Sequence, residues 1–472
     1  MRTLRQVLFY LFLLAYLIAT PVAILYALGY IWAPGAERGL VRSGLIAIAS
    51  TPDEAQIHLG NSRYTRRTPT AIRDLLPGIY NLRLTQRNSD AWQGEIEVRA
   101  ERATVLDHII LLPANRTPQP LAPEVWSQMH SEPGERNIVL ESPRSLLDWA
   151  MLDASEGRLR PLLPTTSAWG DAHVLQTWFR KDSPHALFQV QQHDRDRYLW
   201  FDFSAKEEEP LDVTRLFLNA PDEVIWDPRT HSEIYTRAQS RIHRLSFKDM
   251  AIFPDCAPPA KGFALNRNHL YILNFSNSLL RVGSEGATER TDYLLPTALA
   301  ATLTNDTYAI HLLPDDALLV RNTTGALWLN ALSNELAPQG VRQIVGDEKE
   351  DQWLVVADHA LGLLGLNAQE KSEPWSLQWI HSQDQTIQRA AWIHDDTHIL
   401  FSSQGRLLLL ALERGGEGAP RNLGPVGAQG AFYFSERTGY LYALNEEGRL
   451  TRLRLLPPRS LIPLPLHAET RE

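Results

Sequence analysis

A single cysteine, Cys256, stands among 472 residues. No intramolecular disulfide can form, and no cysteine-rich metal site exists. Positive charge is also short. Lys and Arg total 46 against 55 Asp and Glu, a net charge of −9. A nucleic-acid binder carries a basic face, so no nucleic-acid partner is expected. The usual catalytic spacings are missing: no Gly-x-Ser-x-Gly elbow, no His-Glu-x-x-His pair, no phosphate loop ending in Gly-Lys-Ser/Thr. No catalytic residue, cofactor or metal ligand is assigned on local motifs. What is present is an ordinary globular balance, 44% hydrophobic and 21% charged, which excludes a disordered, collagenous or polytopic membrane chain. The 30 Pro, 13 Trp and 14 Tyr point to many short strands and turns.

Residues 7–32 read VLFYLFLLAYLIATPVAILYALGYIW, with no charge between Arg5 and Glu37. As a helix they would be about 39 Å long, more than the roughly 30 Å hydrocarbon core. Pro21 is tolerable in a membrane helix, and Tyr30 and Trp32 suit the interface. A cleaved signal peptide has a shorter apolar core and a small-residue cleavage site; Tyr-Ile-Trp-Ala-Pro is a poor one. The expectation is an uncleaved signal anchor over 7–32. Arg2 and Arg5 before the span are nearly balanced by Arg38 and Arg42 after it. The very short first segment, 1–6, is expected in the cytoplasm and the bulk of the chain outside it. The lack of disulfides suits a bacterial exterior.

Residues 43–113 have a different texture. Gly44-Leu-Ile-Ala-Ile-Ala-Ser50 is an apolar, strand-compatible run, and Thr51-Pro-Asp-Glu-Ala55 reads as a turn. Ile79 to Gln86 alternates strictly, as do Gly94 to Val98 and Val105 to Leu111. Period two marks half-buried strands, and about six of them make a small β-sandwich. The module holds 8 Arg and 8 acidic residues. Arg63, Arg66 and Arg67 form a basic cluster. It reads as a solvated loop or, more sharply, as a contact for lipid headgroups, an anionic wall polymer or another partner near the membrane.

These residues resemble a PEGA domain, a family named for a Pro-Glu-Gly-Ala turn. Pro52-Asp53-Glu54-Ala55 stands at the matching place, with Gly60, Thr68-Pro69, Leu76-Pro77-Gly78-Ile79-Tyr80 and Trp92 following. Glu54 departs from the family's glycine; if that position needs φ > 0, Glu strains or reshapes the turn. The resemblance implies a non-catalytic extracytoplasmic module. The layout of anchor, PEGA-like module and propeller-like body resembles surface proteins of bacterial candidate phyla.

The next stretch, 114–123, is Pro-rich and reads as a semi-rigid linker. Beyond it a repeat of apolar strand, tight polar turn and second apolar strand recurs eight times. The first unit is Ile138 to Asp153, and the last runs from Tyr440 to Leu455. Second-strand centres lie about 36–51 residues apart, the period of four-stranded propeller blades. The spacing predicts a β-propeller over 124–456. It has eight blades, or seven if the last hairpin completes the first blade. The tail, 457–472, is Pro-rich and polar.

Inside the repeat, His394-Asp-Asp-Thr-His398 and His193-Asp-Arg-Asp-Arg197 are the densest ligand-like runs. Both sit between apolar strands and read as hairpin turns. Glu207-Glu-Glu209 and Asp347-Glu-Lys-Glu-Asp351 read as solvated acidic loops. Cys256, in Phe-Pro-Asp-Cys-Ala-Pro-Pro, reads as a structural thiol between blades.

The fold class expected is therefore an all-β ectodomain, a small PEGA-like β-sandwich plus a seven- or eight-bladed β-propeller, behind one N-terminal transmembrane helix. The expected role is a single-pass binding or scaffold protein of the bacterial cytoplasmic membrane and cell envelope. Its propeller would be a platform for protein or glycan recognition. Two rivals remain: a propeller hydrolase or lyase acting on an extracellular polysaccharide, with channel carboxylates as acid and base, and an envelope-protein assembly factor offering strand edges.

Overall fold

The computed structural model describes residues 2–27, 29–32, 39–60, 62–131, 137–180, 183–204, 209–283, 291–293, 295, 300, 303–304, 306–314, 317–329, 335–337, 339–346, 352–366, 375–412 and 419–458. They fall into two compact units, divided between Arg116 and Thr117.

The first unit opens with α1 (Arg2–Ala27), 26 residues long. Its stretch Leu8–Tyr26 is long and apolar enough to cross a membrane, and Phe9, Phe12, Leu14, Leu17 and Tyr26 are all exposed on it. The helix stops five residues before Trp32, where the apolar run had placed its end. Gly29, at φ +77°, donates its N–H to the Tyr26 carbonyl at 2.9 Å. A left-handed residue there caps the helix, and glycine adopts it without steric cost. Tyr30 and Trp32 instead belong to β1 (Tyr30–Trp32), which pairs antiparallel with β2 (Leu40–Arg42). The ribbon returns the chain to the helix end: Ser43 N–H donates to Gly29 O at 2.7 Å. Arg42 lies 4.9 Å over the Tyr30 ring and pairs with Glu101.

Seven strands follow: β3 (Gly44–Thr51), β4 (Gln56–Leu59), β5 (Ser62–Arg67), β6 (Thr70–Leu75), β7 (Gly78–Thr85), β8 (Trp92–Val98) and β9 (Ala103–Ile110). They form two sheets, ordered β6-β3-β9 and β5-β4-β7-β8, with β3 and β9 parallel. Their inward residues, among them Ile46, Ile48, Ile57, Leu59, Leu82, Leu84, Trp92, Ile96 and Ile109, share one core. Arg63, Arg66 and Arg67 are on a strand, not in a loop: β5 is an edge strand. Its polar residues face solvent on both sides, so no alternation betrays it. Glu54 has φ +64°, so a side chain sits on left-handed backbone at the position of the turn's glycine.

The second unit holds eight four-stranded antiparallel sheets among the described residues. Blades 1 to 7 span 128–161, 173–212, 223–257, 262–293, 308–337, 341–382 and 387–425. Blade 8 combines Phe432–Phe434, Tyr440–Leu444 and Arg449–Arg454 with Gln119–Val125 as its outer strand. The count is therefore eight rather than seven. The last hairpin does not complete the first blade; an early strand completes the last. That strand begins inside the stretch read as a linker, 114–123, and runs two residues past it. Pro120 and Pro123 are acceptable there because an outer strand has a free side on which no N–H is needed. First strands of neighbouring blades pack together, as in Gly262–Leu265 against Tyr308–Leu312, and so surround the central channel. Gly262 is obligatory at that contact, because a Cβ would run into the Tyr308 carbonyl.

The core is shared out between blades. Val139, Trp149 and Met151 of blade 1 pack on Phe188, Leu199 and Phe201 of blade 2. Trp126, Ile138 and Leu152 pack on Tyr442, Leu444 and Leu450, which joins blade 1 to blade 8 and closes the ring. Tyr442 O–H also donates to the Ala154 carbonyl at 2.9 Å across this seam. Closing the ring leaves no inner edge open to a second chain.

Candidate functional site

Each blade is a run of apolar strands joined by polar turns, so polar side chains collect at strand ends. At one mouth of the channel they surround a cavity of about 330 Å³. Blade 3 contributes Asp222 and Glu223 at the start of its first strand, and Arg237 near the end of its second. Blade 5 contributes Thr307, Tyr308 and Ala309 from the same end of its first strand. Arg321, Asn322 and Thr323 come from the end of its second strand and the turn beyond.

The two sides differ in charge. On blade 3, Arg237 is nearly fully buried and compensated: its Nε lies 3.1 Å from Glu223 Oε2, and Nη1 3.6 Å from Asp222 Oδ2. Burial pushes the Glu223 carboxyl up to about 7, against the opposing pull of Arg237. On blade 5, Arg321 Nη1 donates to the carbonyls of Val341 and Arg342 at 3.2 and 3.1 Å. Its buried Nε has no hydrogen-bond partner, and no carboxylate pairs with it, among the described residues. Burial holds its pKa below the usual guanidinium value. Nearby His311 is held neutral, pushed down to about 4 by burial and then by Arg321.

Other polar clusters are structural. Asp227, fully buried, takes two contacts from Arg229 at 3.0 and 2.7 Å beside a tight turn. Ser183 Oγ lies 3.0 Å from His185 Nδ1, and His185 Nε2 lies 3.7 Å from Asp202, the order of a nucleophile triad. The second distance is too long for a hydrogen bond. His185 is buried and stacked on Trp200 and His231.

Residues 394–397 form the hairpin turn between the first two strands of blade 7, with φ near +57° at His394. His193 and Asp194 form another. No cluster able to hold a metal ion occurs among the described residues. Glu207, Glu208 and the run 347–351 lie outside the described residues. Cys256 is within a strand, Ala251–Ala257, the outer one of blade 3, and its side chain packs against the core shared by blades 3 and 4. Pro254 hid that strand from the sequence; a bulge opposite Ile242 and Arg244 accommodates it. Burial pushes the thiol up to about 11, which makes it inert.

Arg63 lies opposite His58, which lies opposite Arg83, so two arginines flank a histidine on the outer face of one sheet. Arg67 is further along, beside Gln56 and 3.7 Å from Glu54. Neither Arg237 nor Arg321 was singled out from sequence. The available sign was a charged residue at the end of an otherwise apolar strand, as in Ile-Tyr-Thr-Arg237 and Leu-Leu-Val-Arg321.

Sheet number, strand order and ring closure define an eight-bladed β-propeller, carried on the same chain as a small β-sandwich. Residues 43–110 of that sandwich match the PEGA domain family. No curated protein matches the chain. Among solved structures, the chain is similar to the Myceliophteria thermophila Cps50 (Swd1) β-propeller domain. The identity is 15%, covering 72% of this chain and 100% of that one, with TM-score 0.39. It is similar also to the Dos1 propeller, at 10% identity, 72% and 96% coverage and TM-score 0.46. Kluyveromyces lactis Hsv2 is a third, at 10% identity, 62% and 96% coverage and TM-score 0.40.

Proposed function

We propose that this chain is a single-pass, membrane-anchored binding protein of the bacterial cell envelope, with most of its mass outside the cytoplasm. In this reading α1 is the anchor and the PEGA domain a spacer at the membrane surface. The propeller recognises a protein or a glycan. The observation that carries it is the polar cavity at the channel mouth, with one arginine, Arg321, that no carboxylate compensates among the described residues. The tie between Ser43 and Gly29 supports the spacer role, because it leaves no free linker between helix end and domain.

The enzyme reading has one observation in its favour, the Glu223 carboxyl poised near neutrality. Glycoside hydrolysis uses two carboxylates flanking the bond. Here both lining acids, Asp222 and Glu223, stand together on one wall and share Arg237.

The test is fractionation of cells expressing the full chain, followed by protease treatment of intact spheroplasts. Retention in the membrane at alkaline pH, with the propeller digested from outside, is the expected result. Release by alkali, or protection of the propeller, would refute the reading.

A further inference from the structure

The channel-mouth cavity is lined by two carboxylates, two arginines and several hydroxyl and amide groups. Arg321 is fixed by two backbone carbonyls, so its guanidinium is already oriented. Among the described residues no carboxylate pairs with Arg321; its Nε is buried and its Nη1 is engaged by the two carbonyls, which leaves Nη2 to meet a ligand carboxylate through a charge-assisted hydrogen bond. Arg237 cannot serve the same purpose, since Asp222 and Glu223 already compensate it.

The rest of the lining suits hydroxyls. Thr307, Asn322 and Thr323 offer hydroxyl and amide groups, and Glu223 can donate or accept near neutral pH. Apolar lining is confined to Tyr308 and Ala309, and Tyr308 is buried in the core between blades 4 and 5. An acidic peptide would bring side chains needing apolar contact, which this cavity does not supply. A volume of about 330 Å³ is at the small end for ligand sites and suits a single ring.

We propose that the cavity binds a carboxylate-bearing sugar ring, a hexuronate-type residue, with Arg321 on the carboxylate and Glu223, Asn322 and the two threonines on the hydroxyls. This rests on the binding-protein reading and names the ligand class for it.

The experiment is titration of the full chain in detergent with D-glucuronate, D-glucose and N-acetylglutamate, followed by saturation-transfer NMR and calorimetry. Glucuronate is expected to bind at least about tenfold more tightly than either of the others. Arg321→Gln should remove about that factor for glucuronate, with an unchanged circular dichroism spectrum. Arg342→Gln, whose native partner is Asp358, should leave binding intact. The ligand comparison on the native chain needs no variant and stands even if Arg321→Gln fails to fold. Equal binding of glucose and glucuronate, tighter binding of N-acetylglutamate, or no binding of any would each overturn the proposal. Loss of glucuronate binding with membrane retention intact would sink this inference alone. Release from the membrane with glucuronate binding intact would sink the anchor alone.

Discussion

Glu54 carries a measurable backbone strain. Its φ of +64° puts an L-residue in the left-handed region, which costs about 1–2 kcal/mol where glycine would cost nothing. Glycine brings a counter-cost of roughly 0.5–1 kcal/mol through the greater freedom of its unfolded chain. The contact with Arg67 at 3.7 Å joins two well-exposed side chains, and such pairs contribute near the bottom of about 0–1 kcal/mol. Glu54→Gly should therefore stabilise the PEGA domain by about 0.5–1 kcal/mol relative to Glu54→Ala, which keeps the strain and drops the same contact. Two units on one chain make a single melting curve ambiguous. The assay is native-state hydrogen exchange at the core amides of Ile57 and Leu84, which report this domain alone. If the glycine variant is no more protected than the alanine variant, the strain argument is wrong.

Three further outcomes follow from particular contacts. Tyr442→Phe leaves the Ala154 carbonyl without its donor at the seam between blades 8 and 1 and should cost about 1–2 kcal/mol in urea unfolding of the propeller. Glu223 has a folded pKa raised from 4.5 to about 7, so the native state holds the proton more tightly than the unfolded chain. Stability should fall as pH rises from about 4.5 to 7, by at most about 3.4 kcal/mol. Glu223→Gln should flatten that slope between urea midpoints at pH 5 and pH 8. Finally, Ile79 is 74% exposed and lies one residue from Gly78, which pairs with Val98. Val98 in turn packs against Gly44, next to the Ser43 tie to the helix end. In a Cys256→Ser background, an environment-sensitive dye on Ile79→Cys should shift to the blue in vesicles. The same dye on Arg67→Cys, at the other end of the sheet, should not.

The sequence was most legible where burial imposes a period. Every hairpin read from it, from Ile138 to Leu455, is the second and third strand of a blade, the pair covered on both sides. First and outer strands were not legible. Leu211–Asp212 and Glu335–Ala337 are too short to show a period, Gln119–Val125 holds two prolines, and β5 sends only Tyr64 to the core. The cavity was out of reach for another reason. Glu223 and Arg321 are about a hundred positions apart, and only ring closure brings blades 3 and 5 to one mouth. The end of α1 was misjudged because hydropathy does not see the left-handed turn at Gly29.

The most direct test of the central claim is capture from solubilised envelope using the full chain in three forms. These are native, Arg321→Gln, and Arg63→Ala/Arg66→Ala/Arg67→Ala together. If the propeller mouth is the recognition site, the native and triple-alanine forms retain the same envelope component and Arg321→Gln loses it. Retention by Arg321→Gln with loss in the triple variant would contradict the account and move recognition to the edge strand of the PEGA domain.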